Sequence, residues 1–273
     1  MNKRITNSLA IGVLWLAAGA TVATLGALLL YVFVNGISAI TPAFIFTWPH
    51  GVNSEGGIWP TIVATVYVTA LAMLISTPIS VLAAVYLAEY AHQGRIVDTI
   101  RFAADSLASV PSIVMGLFGF ALFVEAMGFG LSMISAALAL SLLMLPIIMR
   151  ATEEAIGSVP KYMRWGSYGL GATKWQTVSK IVLPAAAPRI ITGIVLAMGR
   201  AVGETAVVLY TMGQAVNLPI TPLDSGRPMT VHLYLLAVDG INLPTAFGTA
   251  LLLIVMILGF NLSARLILRL RKV

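Results

Sequence analysis

Residues Gly56 to Ala88 read GGIWPTIVATVYVTALAMLISTPISVLAAVYLA and contain no charged side chain over 33 positions. About 20 apolar residues are enough for a helix to cross the hydrocarbon core of a membrane. Two glycines and a proline stand at the start of this run, and a glutamate follows its end. These boundaries predict one membrane-spanning helix that begins near Trp59 and ends near Glu89.

Five further apolar runs have the length of a membrane span. The six predicted spans cover residues 9–34, 59–88, 106–124, 129–149, 190–212 and 244–265. The first run could instead be a signal peptide, but its core is longer than the usual length of about 7–15 residues, so we interpret it as a retained span. The sequence therefore predicts an all-α membrane protein with a single transmembrane domain over residues 1–273.

The composition supports this class. Hydrophobic residues make up 59% of the 273 residues and charged residues only 10%, with a mean hydropathy of +0.96. Soluble domains carry about 25% charged residues, so most soluble enzymes and nucleic-acid-binding modules are excluded. If both termini lie in the cytoplasm, 14 of the 16 Lys and Arg residues fall on the inner side, as the positive-inside rule favours. That asymmetry accounts for the net charge of +6 without a nucleic acid. It also makes 150–189 the longest inner segment.

The residues of common catalytic sites are missing from the sequence. There is no cysteine and no Gly-x-x-x-x-Gly-Lys-Ser/Thr loop for nucleotide phosphates. The three histidines, His50, His92 and His232, lie in different segments and form no metal-ligand pattern. We predict that the chain does not hydrolyse ATP itself, has no catalytic residue and binds no metal.

Arg200 and Glu204 are the two charged residues inside the fifth predicted span. Charges in a membrane usually face a bundle interior or a cavity and pair with each other. Their spacing of four residues places both on one helix face, and Gly199 and Gly203 would let a second helix approach closely. The pattern fits either an ion pair that joins two helices or a cationic point on the path of an anion.

Pro111 and Ser112 interrupt the third predicted span. Proline removes a backbone donor and bends a helix, which membrane helices tolerate where a neighbour or a cavity satisfies the freed carbonyl. The sequence leaves open whether this is a broken helix that lines a pathway or an ordinary kink.

A spacing motif lies in the inner segment. Gly171 is followed after nine residues by Ile181, and then by Leu183-Pro184. This motif resembles the second half of the EAA loop of ABC importer permeases. Together with Ser109-Val-Pro-Ser-Ile113 and Gly199-Arg-Ala-Val-Gly-Glu-Thr-Ala206, it makes the chain similar, from about Gly56 onward, to PstA-type permeases of bacterial phosphate ABC importers.

The resemblance implies a type I ABC importer permease fold in a bacterial inner membrane. It implies inward transport of phosphate, with ATP and Mg²⁺ held by a partner ATPase and no cofactor bound by this chain. The implied partners are a second, PstC-like permease, two PstB-like ATPase subunits and an external PstS-like phosphate-binding protein. We call residues 150–189 the coupling loop, since the resemblance implies that they dock on the ATPase. Its expected docking residues are Gly171, Ala172, Thr173, Lys174, Trp175, Ile181, Leu183 and Pro184. The expected anion-path residues are Arg200, Glu204 and Thr205.

Two departures from the family pattern keep alternatives open. Trp165-Gly166-Ser167 stand where the family usually has Glu-Ala-Ala, and Val207-Val-Leu-Tyr-Thr211 replaces Pro-Leu-Leu-Phe-Thr. The first departure bears on how the loop docks, and the second leaves open the same machine carrying another oxyanion (molybdate, tungstate or sulfate). A separate alternative is an ATP-independent secondary carrier. A secondary carrier would be expected to show inverted repeats with two broken spans in matching positions, and the sequence shows neither.

Overall fold

The computed structural model describes residues 3–50, 55–238 and 240–270, and helices dominate it. The α-helices of these residues are α1 (Lys3–Gly36), α2 (Pro42–Phe46), α3 (Trp59–Val85), α4 (Arg95–Ser109), α5 (Ser112–Gly119), α6 (Met133–Gly157), α7 (Lys161–Gly169), α8 (Lys174–Thr177), α9 (Leu183–Gly203), α10 (Ala206–Met212), α11 (Met229–Val238) and α12 (Leu243–Leu270). The other elements are π-helical segments at Tyr86–Tyr90, Phe120–Ala126 and Val178–Val182, a 3₁₀ turn at Ile37–Ala39, and two antiparallel two-residue strands, β1 (Pro49–His50) and β2 (Glu55–Gly56).

In the described residues, five continuous helical stretches are long and apolar enough to cross a membrane. They are Ile11–Ala39, Trp59–Tyr90, Met133–Gly157, Lys174–Gly203 and Leu243–Ser263. A sixth crossing is available if α4 and α5 with its π-helical extension are counted as one broken span. The structure therefore agrees with the predicted multi-pass, all-α architecture.

The third span, predicted over 106–124 with either a break or a kink at Pro111, is broken in the structure. Arg95–Ser109 and Ser112–Ala126 form two helical pieces whose axes meet at 101°. Val110 and Pro111 have extended backbone at the junction, with ψ of 131° and 137°. Proline disfavours helical backbone at the residue before it, and so the break falls at Val110.

The fifth span, predicted as one helix over 190–212, is also broken. Helix α9 ends at Gly203, Glu204 has an extended ψ of 125°, and α10 starts at Ala206. The chain therefore presents two short helices, α5 and α10, that each follow a break. A cross-contact joins them, because a Cβ added at Gly116 of α5 would lie 2.9 Å from the carbonyl oxygen of Ala206.

Helix α6 occupies the centre of the bundle and packs against α3 and α9. Small side chains, including Ala72 of α3 and Ala137 of α6, are fully buried in this contact. The Ser141 hydroxyl of α6 donates to the Ala72 carbonyl at 3.0 Å. Small residues let membrane helices approach closely, so that van der Waals contact and interhelical hydrogen bonds hold them together. Helix α1 packs against α12 at the edge of the bundle and is exposed along most of its length.

Gly193 of α9 tests how tightly α9 packs on α6. A Cβ at Gly193 would collide with the Ala151 side chain, whereas one at Gly199 of the same helix would lie 3.8 Å from its nearest neighbour. We expect Gly193→Ala to destabilise the protein by about 1–3 kcal/mol through overpacking. The matched variant Gly199→Ala should be neutral, or more stable by up to about 1 kcal/mol, since alanine favours helix. Thermal unfolding in detergent measures both, and equal melting temperatures for the two variants would contradict this packing.

Candidate functional site

Arg200 and Glu204 lie together at the break between α9 and α10. The Arg200 Nε and Glu204 Oε1 atoms are 3.4 Å apart, so the predicted ion pair is present. The Arg200 side chain is 48% exposed in this single chain, and the Glu204 side chain is only 10% exposed. The carboxylate is therefore set into the protein, while part of the guanidinium remains open to a ligand or a partner chain.

The backbone at the break is held by α11. The Thr230 hydroxyl of α11 donates to the Glu204 carbonyl oxygen at 2.9 Å. At the start of α10, the Leu209 N–H donates to the Thr205 carbonyl at 2.9 Å. A side-chain hydroxyl thus supplies a partner that the interrupted helix ladder no longer provides, as membrane-embedded backbone requires.

An open cavity of about 430 Å³ adjoins this break. Its wall includes Thr205 at the break and Ile113, which follows Pro111 and Ser112 in α5. The structure therefore brings both helix breaks to one cavity. The complete lining is Ile113, Thr205, Ala206, Leu209, Tyr210, Thr230, Leu233 and Tyr234. This wall is mostly apolar and contains four hydroxyl-bearing residues and no charged residue.

Gly199 and Gly203 do not serve as contact points within the described chain. Gly199 has only an ordinary contact with Asn261, and no described atom lies within 4 Å of a Cβ placed at Gly203. The close approaches between helices of this chain fall instead at Gly193, and at Gly119 of α5, where an added Cβ would lie 2.7 Å from the Ala139 Cβ. Among the residues that the structure describes, no other helix approaches Gly199 or Gly203 closely, so the predicted close contact at these glycines stays a prediction.

The coupling loop folds as the end of α6, then α7, a turn and α8. Gly171 occupies the turn with a φ of +80°, a conformation that glycine adopts without strain. Ala172 follows it, and its N–H donates to the Ser167 carbonyl at 3.2 Å. Thr173 caps α8 in a capping box with Gln176. These interactions fix the loop geometry through the backbone.

The other predicted docking residues follow along the same element. Lys174 lies with its Nζ 5.0 Å from the centre of the Tyr90 ring, and Trp175 is exposed. Ile181 belongs to the π-helical segment, and Leu183-Pro184 start α9. A groove of about 370 Å³ opens beside them and includes Gly171, Ala172 and Ile181 in its wall. Exposed apolar side chains around this surface are Tyr162, Trp165, Leu170 and Trp175. Clustered exposed aromatic residues are typical of protein interaction sites.

Sequence reasoning missed three ion pairs at one end of the bundle. Glu89 pairs with Arg164, Glu153 with Arg101, and Asp105 with Arg150. Glu153 is only 13% exposed, so this ion pair is partly buried. The partners are separated by 45 to 75 positions in the chain, so no local spacing could have revealed them.

Comparison with known proteins defines the class. Residues 76–272 match the family described as "Binding-protein-dependent transport system inner membrane component". Among solved structures, an inward-facing MetNI methionine ABC transporter chain aligns with a TM-score of 0.62 at 20% identity, over 78% of this chain and 93% of that chain. A chain of a bacterial alginate ABC importer aligns with a TM-score of 0.62 at 14% identity, over 98% and 99%. The fold is that of a type I ABC importer permease.

Proteins similar in sequence over nearly the whole chain are also ABC transporter permeases. The "Probable ABC transporter permease protein YqgI" of Bacillus subtilis is 38% identical, over 97% of this chain and 96% of that protein. The "Phosphate transport system permease protein PstA 1" of Mycobacterium tuberculosis (strain ATCC 25618 / H37Rv) is 36% identical, over 98% and 89%. The chain belongs to the family of binding-protein-dependent transport system inner membrane components and is a multi-pass inner membrane protein.

The hydrogen bond between Thr230 and Glu204 can be tested by an isosteric change. Thr230→Val leaves the Glu204 carbonyl without its hydroxyl partner, and we expect a loss of about 1–3 kcal/mol. Each kcal/mol lowers the melting temperature of a protein of this size by about 2–4 °C. Thr249→Val is the matched control, because the buried Thr249 hydroxyl donates at 2.8 Å to a carbonyl of its own helix. If Thr230→Val melts at the wild-type temperature, or no lower than Thr249→Val, the Thr230 hydroxyl does not stabilise the break.

Proposed function

We propose that this chain is a permease subunit of a bacterial ABC importer that carries inorganic phosphate inward, with ATP hydrolysed on separate ATPase subunits. The observation that carries the proposal is the near-full-length similarity to a phosphate transport permease. In this chain, the helix break with Arg200 and Glu204 is the candidate anion contact. A guanidinium stays charged and offers a planar fork of donors that fits an oxyanion.

Arg200 would be the cationic point on the phosphate path. Glu204 balances this charge while the path is empty, and the exposed part of the guanidinium donates to phosphate oxygens as the ion passes. Phosphate and the carboxylate would then compete for the charge of one guanidinium, each through different N–H groups. Such competition keeps binding weak, which a permease needs because a tightly held ion would not be released.

The cavity beside the break would contribute hydrogen bonds along the path. Thr205, Tyr210 and Tyr234 in its wall carry hydroxyl groups, whereas the Thr230 hydroxyl already donates its proton to the Glu204 carbonyl. Hydroxyls can donate to an anion without adding a fixed charge. In this proposal, the breaks at Pro111 and at Glu204 place the short helices α5 and α10 next to the path of the anion. Backbone and hydroxyl groups near the breaks would then be available to the anion.

The family works with a binding protein and an ATPase. We propose more particular partners: a PstC-like second permease, two PstB-like ATPase subunits and a PstS-like phosphate-binding protein. ATP and Mg²⁺ would be bound by the ATPase, and this chain would hold no cofactor. Both termini and the coupling loop would face the cytoplasm, with the exposed aromatic residues of the loop on the ATPase.

Replacing Arg200 tests the anion contact. In proteoliposomes that carry the full complex, we expect Arg200→Ala to reduce ATP-dependent uptake of radiolabelled phosphate about 10- to 100-fold, the effect of losing charged hydrogen bonds. Arg200→Lys should retain part of the uptake because it keeps the charge without the fork.

Arg189→Ala is the matched control, since Arg189 is an exposed arginine of the same helix that forms no ion pair with any described residue. Because Arg189 is also the last residue of the coupling loop, the comparison requires that the ATPase copurifies normally with this variant. Wild-type uptake in the assembled Arg200→Ala complex would exclude Arg200 from the anion path. Uptake lost equally in the control would point to a general effect of removing charge from α9.

Replacing Gly171 tests the coupling loop. Gly171→Ala forces an L residue into left-handed backbone at a cost of about 1–2 kcal/mol, although no described atom would collide with the new Cβ. We expect the ATPase subunit to copurify about 5- to 30-fold less well with this variant. Gly169→Ala, in the same loop without positive φ, should bind the ATPase normally. Normal copurification of both variants would show that the turn geometry at Gly171 does not set ATPase docking.

A further inference from the structure

We propose that the ion pair between Glu89 and Arg164 is a positioning pair that fixes the coupling loop to helix α3, so that movement of the loop moves the membrane helices. The inference rests on the proposed function, because it assigns a route by which ATP hydrolysis on a partner subunit would act on the permease. It adds two residues that neither the helix break nor the docking surface contains.

The pair is short and largely buried. Arg164 Nη2 and Nε donate to Glu89 Oε1 at 2.6 and 3.0 Å. The Arg164 side chain is 16% exposed and the Glu89 side chain 8% exposed. Glu89 lies in the π-helical segment Tyr86–Tyr90 that extends α3, and Arg164 lies on α7 in the coupling loop. Salt screens a buried pair much less than an exposed one, so this contact stays effective in the cell.

Arg164 also holds the end of helix α6. Its Nη1 donates to the Val159 carbonyl at 2.7 Å, and its Nη2 donates to the Ile156 carbonyl at 3.0 Å. Carbonyls at a helix C-terminus have no partner within the helix, so an arginine can satisfy them. One guanidinium therefore connects three elements: the extension of α3, the end of α6 and the loop helix α7.

Two further contacts make the loop and the α3 extension one unit. Lys174 of α8 lies over the ring of Tyr90, the residue after Glu89. Ser167 of α7 and Thr177 of α8 share a buried hydrogen bond of 2.8 Å between their hydroxyls. Both halves of the loop are thus tied to Tyr86–Tyr90. A force applied to the exposed side of the loop reaches α3 and, through the buried α3–α6 contact, the centre of the bundle.

The other two ion pairs do not have this arrangement. Glu153 with Arg101, and Asp105 with Arg150, join α6 to α4 and leave α7 and α8 untouched. Glu153 belongs to the part of the coupling loop that is still helix α6, well before Gly171, the first expected docking residue. A change there therefore breaks a partly buried ion pair to α4 without separating α7 and α8 from α3. This difference provides a control that matches Glu89 in residue type and approximate burial.

The test measures phosphate transported per ATP hydrolysed in proteoliposomes that hold the full complex and its binding protein. We expect Glu89→Gln and Arg164→Gln each to lower this ratio about 2- to 30-fold, while hydrolysis without binding protein continues. The double variant should be no worse than Arg164→Gln, because it also removes the carboxylate that the single variant leaves buried and unpaired. A charge exchange is unsuitable, since a glutamate at 164 would face the carbonyls of Ile156 and Val159.

Glu153→Gln should transport with the wild-type ratio. An unchanged ratio in the assembled Glu89→Gln complex would overturn the proposal, as would an equal loss in Glu153→Gln. If Glu89→Gln does not assemble, Glu89→Asp takes its place, because it keeps the charge and shortens the side chain by one methylene. Its ratio should lie below that of wild type, and a wild-type value would overturn the proposal.

The experiment separates this proposal from the assignment of phosphate. If the wild-type complex assembles but takes up no phosphate, the assigned substrate is wrong, and stimulation of ATP hydrolysis by the binding protein becomes the readout. Loss of that stimulation in Glu89→Gln but not in Glu153→Gln would still support the positioning pair. Stimulation at the wild-type level in both variants would overturn it.

Discussion

The structure depends on one constraint: backbone N–H and C=O groups inside a membrane must find partners within the protein. Helices α3 and α6 meet this constraint mainly through their own ladders, although Pro78 and Pro146 each remove one backbone donor. The third and fifth spans do not, because Pro111 interrupts one and Glu204 leaves the helical conformation in the other. Both interruptions border one cavity, and Thr230 from α11 supplies a hydrogen bond at the second. The backbone groups that leave the helix ladders therefore lie close to the cavity, where a transported anion could contact them.

Helix α6 transmits contacts between the two ends of the bundle. At its N-terminus, Met133 and Ile134 donate their N–H groups to the carbonyls of Asp224 and Pro222, which fixes the segment after α10. The side chain of Asp224 accepts from the backbone N–H groups of Ile220 and Thr221, and these hydrogen bonds hold the pKa of Asp224 below its usual value. At the other end, Arg164 binds the Ile156 carbonyl in the last turn of α6, the Val159 carbonyl just beyond it, and Glu89. The bundle thus has a rigid centre whose ends are connected to the outer segment and to the coupling loop.

The sequence was sufficient for the membrane class and the number of spans, because hydrophobic length is a local property. The two charges Arg200 and Glu204 do lie together, although the contact forms across the end of α9, because Glu204 has already left the helical conformation. The break after Gly203 was not predicted, because no proline marks it and α11 stabilises it from a distant part of the chain. Helix α6 continues to Gly157, beyond the predicted end of the span at residue 149, because Arg150 and Glu153 pair with residues of α4. The ion pair between Glu89 and Arg164 was not predicted either, because the two residues are 75 positions apart in the chain.

The central claim is that this permease carries phosphate and not another oxyanion. The most direct measurement is ATP-dependent uptake of radiolabelled phosphate by the reconstituted complex, with an excess of unlabelled phosphate, sulfate, molybdate or tungstate as competitor. The account predicts that the complex takes up phosphate and that only unlabelled phosphate suppresses the uptake. Suppression by molybdate or sulfate at the same concentration, or ATP-dependent uptake of those anions without uptake of phosphate, would contradict it.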